Sequence, residues 1–558
     1  MNMKKYILTS LLLGSLALTG CNDAFLNRTP LDELTDENFW KTEAHVKSVA
    51  NACYNHLIGK DIINYEALGD DALWYNNSGY RQIGSGAYGS DLSILNSQWE
   101  KFYRGIRECN YFLENYNRAE AVSTETRERY AAEVKFIRAY QYMFLTQFWG
   151  DVPLVTKTLT MDSPELFDPR TSRKDVIDFI LNDLRSSYKA LPATIAGGKS
   201  DFGRITQAAS LALIARLALY NERWEMAAEA AKEIMDMNYF SIYTSGGTSN
   251  AYRNLFIYEG RASRNASNKE TILAFVYNYT AGTKHNLSRE LQVPDQETRL
   301  MPTKAFVDNY LCSDGKPVSI SPLYSEASYD ALFQNRDPRM KQAILSPGSA
   351  WNGKADGSAS NTATTIFRTP RFTNDKKGCV TRTGFYPVKY CEPTKVSAVG
   401  TDDNDIIIFR YAEVLLTYAE AMFKQGKLTQ DIVDQTINKL RDRVGMHRMN
   451  LTELAEWELN IEDELRRERR VEMFMEGWRY FDVQRWKEGD RLGNDVKGIK
   501  KSMVEVQSSV DGYATDADGY IITMSGRIFE DPKNYLWSLP FTQMERNPNL
   551  KPNNPGWN

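Results

Sequence analysis

Five aromatic rings, Tyr65, Trp74, Tyr75, Tyr80 and Tyr88, stand close together in the polar, glycine-rich stretch 58–96. Asp70, Asp71, Asn76, Asn77, Arg81 and Gln82 interleave them. Flat rings cover the C–H face of a sugar, while amide, carboxylate and guanidinium groups bond its hydroxyls, so this mixture suits carbohydrate. The same rings would also serve to plug the segment onto a hydrophobic core. Trp74, Tyr80 and Arg81 are the members expected to be exposed, with Asp70 and Tyr75 beside them. Trp351, in SPGSAWNGKADGSASNTATT, is a second candidate, because a lone Trp in polar loop sequence is costly to expose without use. Tyr277, followed by Asn278 and Tyr279, is a third.

Catalytic chemistry finds less to hold. His45, His56, His285 and His447 have no metal-type spacing such as H-x-x-x-H. GSGAYG, Gly84 to Gly89, satisfies G-x-G-x-x-G, but no strand pattern precedes it, which argues against a dinucleotide site. Paired carboxylates such as Asp70 and Asp71 occur in glycosidases, yet adjacent acids arise by chance among 72. Asp402-Asp403-Asn404-Asp405 and Asp516-Ala-Asp518-Gly519 lack calcium-loop spacing and read as turns, so no cofactor is expected and bound calcium is not indicated. With 68 bases against 72 acids, the net charge of −4 gives no reason to expect nucleic acid as a partner.

These residues need a frame, and the frame reads as helical. Helices are expected over 42–57, 97–116, 129–147 and 173–191, and as a hairpin over 206–237. There, alanines at 212, 215, 227, 228 and 231 allow two helices to approach closely. A similar pair is expected over 409–443. That makes about four tetratricopeptide-like pairs, with irregular spacing, packed against a loop-rich part with a few short strands. Residues 462–489 carry Val471, Phe474, Met475, Trp478 and Phe481 at helical spacing, among eight acids and seven bases between Glu462 and Glu488. Pairs such as Arg469/Glu472, Glu476/Arg479 and Asp482/Arg485 sit at helical spacing, and so many large rings beside them predict a partly buried ion network. Gly477 should mark close packing or a bend.

Residues 1–20 read as a signal peptide: Lys4 and Lys5, then a short apolar run to Leu18, then Thr19-Gly20-Cys21. That run is too short to span a bilayer. The other five cysteines, Cys53, Cys109, Cys312, Cys379 and Cys391, show no C-x-x-C spacing. Cys53 and Cys109 read as core residues, and a Cys379–Cys391 disulfide is left open.

Several blocks carry a resemblance. ERRVEMFMEGWRYFDVQRW from Glu468, RYAEVLLTYAEA from Arg410, Arg138-Ala139-Tyr140 followed by WGDVP, the P…T…NFW…Y start and the LTGC ending are together similar to the SusD/RagB family of Bacteroidetes nutrient-binding lipoproteins. The resemblance covers essentially the whole chain after the leader. It implies a mostly helical SusD-like fold, built as a 21–237 N-terminal region carrying the 58–96 insertion and a 238–558 C-terminal region, the two forming one compact unit. It also implies acylation at Cys21, anchorage to the outer membrane facing outward, and a SusC-like TonB-dependent transporter as partner. Ligands would be oligosaccharides or polysaccharides, captured without catalysis. A peptide or other non-glycan nutrient, or an envelope-bound carbohydrate-active enzyme, are the alternatives.

Overall fold

The computed structural model describes residues 39–259, 267–293, 296–350, 366–373, 379–396 and 398–557. The leader, Cys21 and Trp351 lie outside the described residues.

Ten helices build the frame: α1 Glu43–Cys53, α2 Ser93–Asn115, α3 Thr124–Trp149, α4 Arg173–Ser187, α5 Gln207–Tyr220, α6 Trp224–Asp236, α7 Tyr411–Lys424, α8 Ile437–Val444, α9 Ile461–Met473 and α10 Arg479–Arg485. Their starts are written in the sequence. Thr42, Ser123, Ser172, Thr206 and Asn460 each accept a hydrogen bond from a first-turn amide. Each such cap contributes about 1 kcal/mol. From α1 to α7, neighbours pack against one another in turn, giving the paired array expected. The alanines of α5 and α6 are buried at that contact, so the two backbones come close.

Among the described residues three two-stranded antiparallel ladders and several shorter helices join this frame. The ladders are β1 Ala72–Trp74 with β3 Leu300–Pro302, β2 Thr271–Phe275 with β4 Ile406–Arg410, and β5 Val496–Lys500 with β6 Tyr520–Met524. The other described residues of 238–405 are irregular chain pinned by isolated bridges and short helical turns.

The bend or close packing expected at Gly477 is a full break, so residues 462–489 hold two helices. α9 stops at Met473, Phe474 turns extended, and Met475 and Gly477 take φ of +61° and +81° before α10 begins. A Cβ on Gly477 would stand 2.3 Å from the carbonyl oxygen of Ile62, so only glycine fits. All five apolar residues of the supposed stripe are nonetheless buried, because both helices press into the same core.

The ion network is deeper than expected, and its partners are distant rather than neighbouring. Arg410 reaches Glu270 at 3.0 Å, Glu472 at 2.7 Å and Glu476 at 2.7 Å. Arg339 binds Glu468 at 2.6 Å, Arg443 binds Glu472 at 2.7 Å, and Lys389 binds Glu476 at 2.7 Å. Of the three local pairs, only Asp482/Arg485 forms, at 2.8 Å. Arg469 instead takes Asp482 across the break. Charges this far from water persist only when each is answered by several partners, so the network fixes the relative places of β4, α7, α8, α9 and the 337–342 turn.

The five described cysteines are free and buried, which settles Cys379 and Cys391 as thiols here.

Candidate functional site: an aromatic ledge at one end of a short ladder

The 58–96 insertion is organised by the β1–β3 ladder. Its register runs from Thr303, whose N–H donates to Asp71 O, to Tyr75, whose N–H donates to Arg299 O at 3.0 Å. Upstream, Lys60–Leu68 forms a 3₁₀ stretch, and downstream Ser78 caps a short helix, Gly79–Gly84. This arrangement brings Trp74, Tyr75 and Tyr80 together at the Arg299 end. The Trp74 and Tyr80 centroids are 5.6 Å apart with planes at 31°, and Trp74 and Tyr75 are 6.2 Å apart at 30°. Tyr65 backs Tyr80 at 6.0 Å and anchors the group to the core through Phe148.

Polar groups border the rings. Arg81 Nη1 donates to Trp74 O at 3.5 Å, and the Arg299 guanidinium carbon lies 5.5 Å from the centre of the Trp74 ring. Arg299 is held by Glu290 at 2.6 Å, and Arg382 by Glu297 at 2.8 Å. Burial and then the nearby Arg382 hold the Arg81 guanidinium below its ordinary pKa, with Glu297 opposing. Burial, helped by Asp61, pushes the Tyr80 hydroxyl up to about 12, so it stays a neutral donor and acceptor. Tyr75, Tyr80 and Arg81 are half-buried, the two rings packed against the edge of the core.

Not every sequence candidate lies where it was expected. Trp74 is only 7% exposed, because the strand pairing and Arg299 cover it; it supports Tyr75 and Tyr80 from behind. Tyr277 is likewise 7% exposed, packed on Phe275 and His285, with its hydroxyl accepting from the Lys60 amide at 3.0 Å. Asp70 is buried, and both its oxygens are taken by Arg479, at 2.7 and 3.1 Å, and by Arg470, at 3.0 Å. Burial alone would raise its pKa, but Arg470 and Arg479 outweigh that and hold the carboxyl well below the usual range. Asp70 instead faces a separate cleft of about 630 Å³ at the other end of the ladder. Arg299, Glu297 and Arg382, which border the ledge, carried no local signal: they arrive from segments more than two hundred residues downstream.

Among the described residues, no three His, Cys, Asp or Glu side chains converge as metal ligands would, and no helix is long and apolar enough to cross a membrane.

The SusD family pattern matches residues 269–557, more than half the chain, and a second, described as "Starch-binding associating with outer membrane", matches residues 4–219. The chain belongs to the SusD family. It is similar to a SusD-like protein of Formosa agariphila, 24% identical, over 90% of this chain and 96% of that one. Among solved structures it resembles a SusD-like carbohydrate binding protein from Bacteroides fragilis NCTC 9343, at 26% identity and TM-score 0.79, covering 92% of this chain and all of that one. A second SusD-like protein from the same strain matches at 25% identity and TM-score 0.75, over 95% of this chain and all of that one. The helical array and loop-rich half described above are thus the SusD fold, and the family is one of carbohydrate-binding proteins associated with the outer membrane.

Proposed function

We propose that this SusD-family protein captures an oligosaccharide at the Tyr75–Tyr80–Arg81 ledge and passes it, chemically unchanged, to a SusC-like TonB-dependent transporter. The observation that carries the reading is the ledge itself: two half-exposed rings braced by a buried Trp, edged by guanidinium and carboxylate groups. That composition stacks on pyranose rings and bonds hydroxyls, while the carboxylates at its edge, Glu290 and Glu297, are held by Arg299 and Arg382. Cys21, after cleavage of the leader, carries acyl chains that tether the protein to the outer membrane, facing outward; several chains together anchor stably where one does not. No bound cofactor takes part.

A glycan-panel binding measurement on the mature chain tests this, beside Tyr80→Ala and Arg81→Gln. Binding to one glycan class, lost in these variants with the fold intact, supports the reading. Binding only to peptides, or release of product from a glycan, overturns it.

A further inference from the structure

The cleft at the Asp71–Thr303 end of the ladder holds a cation that no carboxylate pairs with among the described residues. Arg527 donates Nε to Gly84 O at 3.0 Å, and Nη2 to Gly84 O at 2.8 Å and to Gly69 O at 3.1 Å. These three bonds lock the guanidinium onto backbone, and Nη1 has no partner among the described residues. The nearest carboxylate influence is Asp70, which is already committed to Arg470 and Arg479. Burial outweighs Asp70 and brings the Arg527 pKa down to about 10. A half-buried cation without an answering anion is costly, which makes it informative.

The other cations around it are answered by acids: Lys304 by Asp308 and Glu326, Arg470 by Asp70 and Asp71, Arg491 by Glu488 and Lys497 by Asp516. Lys304, Arg470, Arg491 and Lys497 line the same cleft, against Asp70, Asp308 and Asp495. Asp308 is itself bound by Lys304 at 2.6 Å. A smaller adjoining hollow of about 170 Å³ shares Arg470 and Arg491 and adds more guanidinium than carboxylate groups. Among the described residues Arg527 is thus the cation of this cleft that no carboxylate answers. The ion pairs of Lys497 with Asp516 at 2.7 Å and of Arg491 with Glu488 at 2.8 Å are near the surface, so either cation can turn to a ligand at small cost. The Tyr520 ring and the amides of Asn309 and Asn494 line the cleft too. Its volume falls within the range of roughly 300–1,000 Å³ usual for ligand sites.

We propose that this cleft binds an acidic sugar unit, with its carboxylate or sulfate ester seated between Arg527 and Lys497 and its ring against Tyr520. This rests on the capture reading above and narrows it: the captured oligosaccharide carries a uronate or a sulfate group. Guanidinium forks and ammonium groups bind both anions, and charge-assisted bonds are the strong ones in a partly dry cleft.

The test is calorimetric titration of the mature chain with tetragalacturonate, a sulfated galactan tetrasaccharide and neutral maltotetraose, at low salt and at raised salt. The expected result is tighter binding of one acidic probe than of the neutral one, weakened by salt. The Lys497→Gln and Arg527→Gln variants should each lose about tenfold or more in affinity for that probe, the size of one charged hydrogen bond. The Lys497 ammonium is partly exposed and, among the described residues, pairs with Asp516 alone, so its variant keeps the fold even if Arg527→Gln does not. The carboxylate and sulfate arms tell the two anions apart. If maltotetraose binds as well as both acidic probes, or if Lys497→Gln binds them as wild type does, the cleft inference fails and the capture reading stands. If no saccharide binds at all, both fail.

Discussion

The backbone N–H of Gly477 donates to Oε1 of Glu66 at 2.7 Å, so the break between α9 and α10 is fastened to the 3₁₀ stretch that leads into the ledge. The signature segment of the C-terminal half is thus fastened to the 58–96 insertion of the N-terminal half. Gly477→Ala strikes this joint twice, through its φ of +81° and through the clash with Ile62 O. It is expected to lose about 2–4 kcal/mol of stability, read by denaturant unfolding.

Glu66 itself gives a pH signature. Burial, then the Asp71 charge, raise its pKa from the ordinary 4.5 to about 8. The folded state therefore keeps a proton that the unfolded state has released between those values. Its stabilising effect is complete below 4.5 and disappears as pH rises through about 8. Glu66→Gln, which cannot ionise, should show a flatter decline of stability between pH 5 and 8 than wild type. Parallel slopes for the two proteins would contradict the assignment.

Arg410 is the hub of the buried network. Arg410→Met leaves Glu270 without its 3.0 Å partner and removes one cation from each of Glu472 and Glu476. Breaking a buried pair from one side costs about 3–5 kcal/mol, and thermal unfolding should show a loss of that order.

Trp74 and Tyr80 should separate stability from binding. Trp74→Ala empties a buried site behind the ledge and is expected to cost about 3–5 kcal/mol, with binding lost as a by-product. Tyr80→Ala removes a half-exposed ring. It should weaken sugar binding about tenfold while leaving the melting temperature far closer to wild type. Equal destabilisation by both would mean that Tyr80 is a core residue only.

The fold was largely legible because helical periodicity and alanine spacing are local signals, as at α5 and α6, and because caps such as Ser123 and Ser172 stand at the helix starts. The break at Gly477 was visible only as a weak point. Nothing local shows that Met475 also adopts positive φ, or that Ile62, some four hundred residues away, closes on Gly477. The ring-rich insertion was legible as composition, but burial was not: Trp74 and Tyr277 are covered by partners whose positions depend on tertiary pairing. Asp70, read as a hydroxyl ligand, turned out to answer two arginines of the signature segment. The cleft around Arg527 left no trace in the sequence, because its cations are drawn from four separate stretches.

The β1–β3 ladder pairs Trp74 with Leu300, so the ledge is assembled from strands roughly 230 residues apart. Closing so long a loop is entropically costly, and the contact forms only once the intervening chain has found its place. Folding and recognition are thereby tied in time. Until that pairing forms, Trp74 lacks both the Leu300 strand beside it and the Arg299 guanidinium over its ring, so the support behind Tyr75 and Tyr80 is incomplete. A molecule that can stack a saccharide on Tyr75 and Tyr80 has, by that fact, already finished its core. Ligand binding therefore doubles as a test of completed folding.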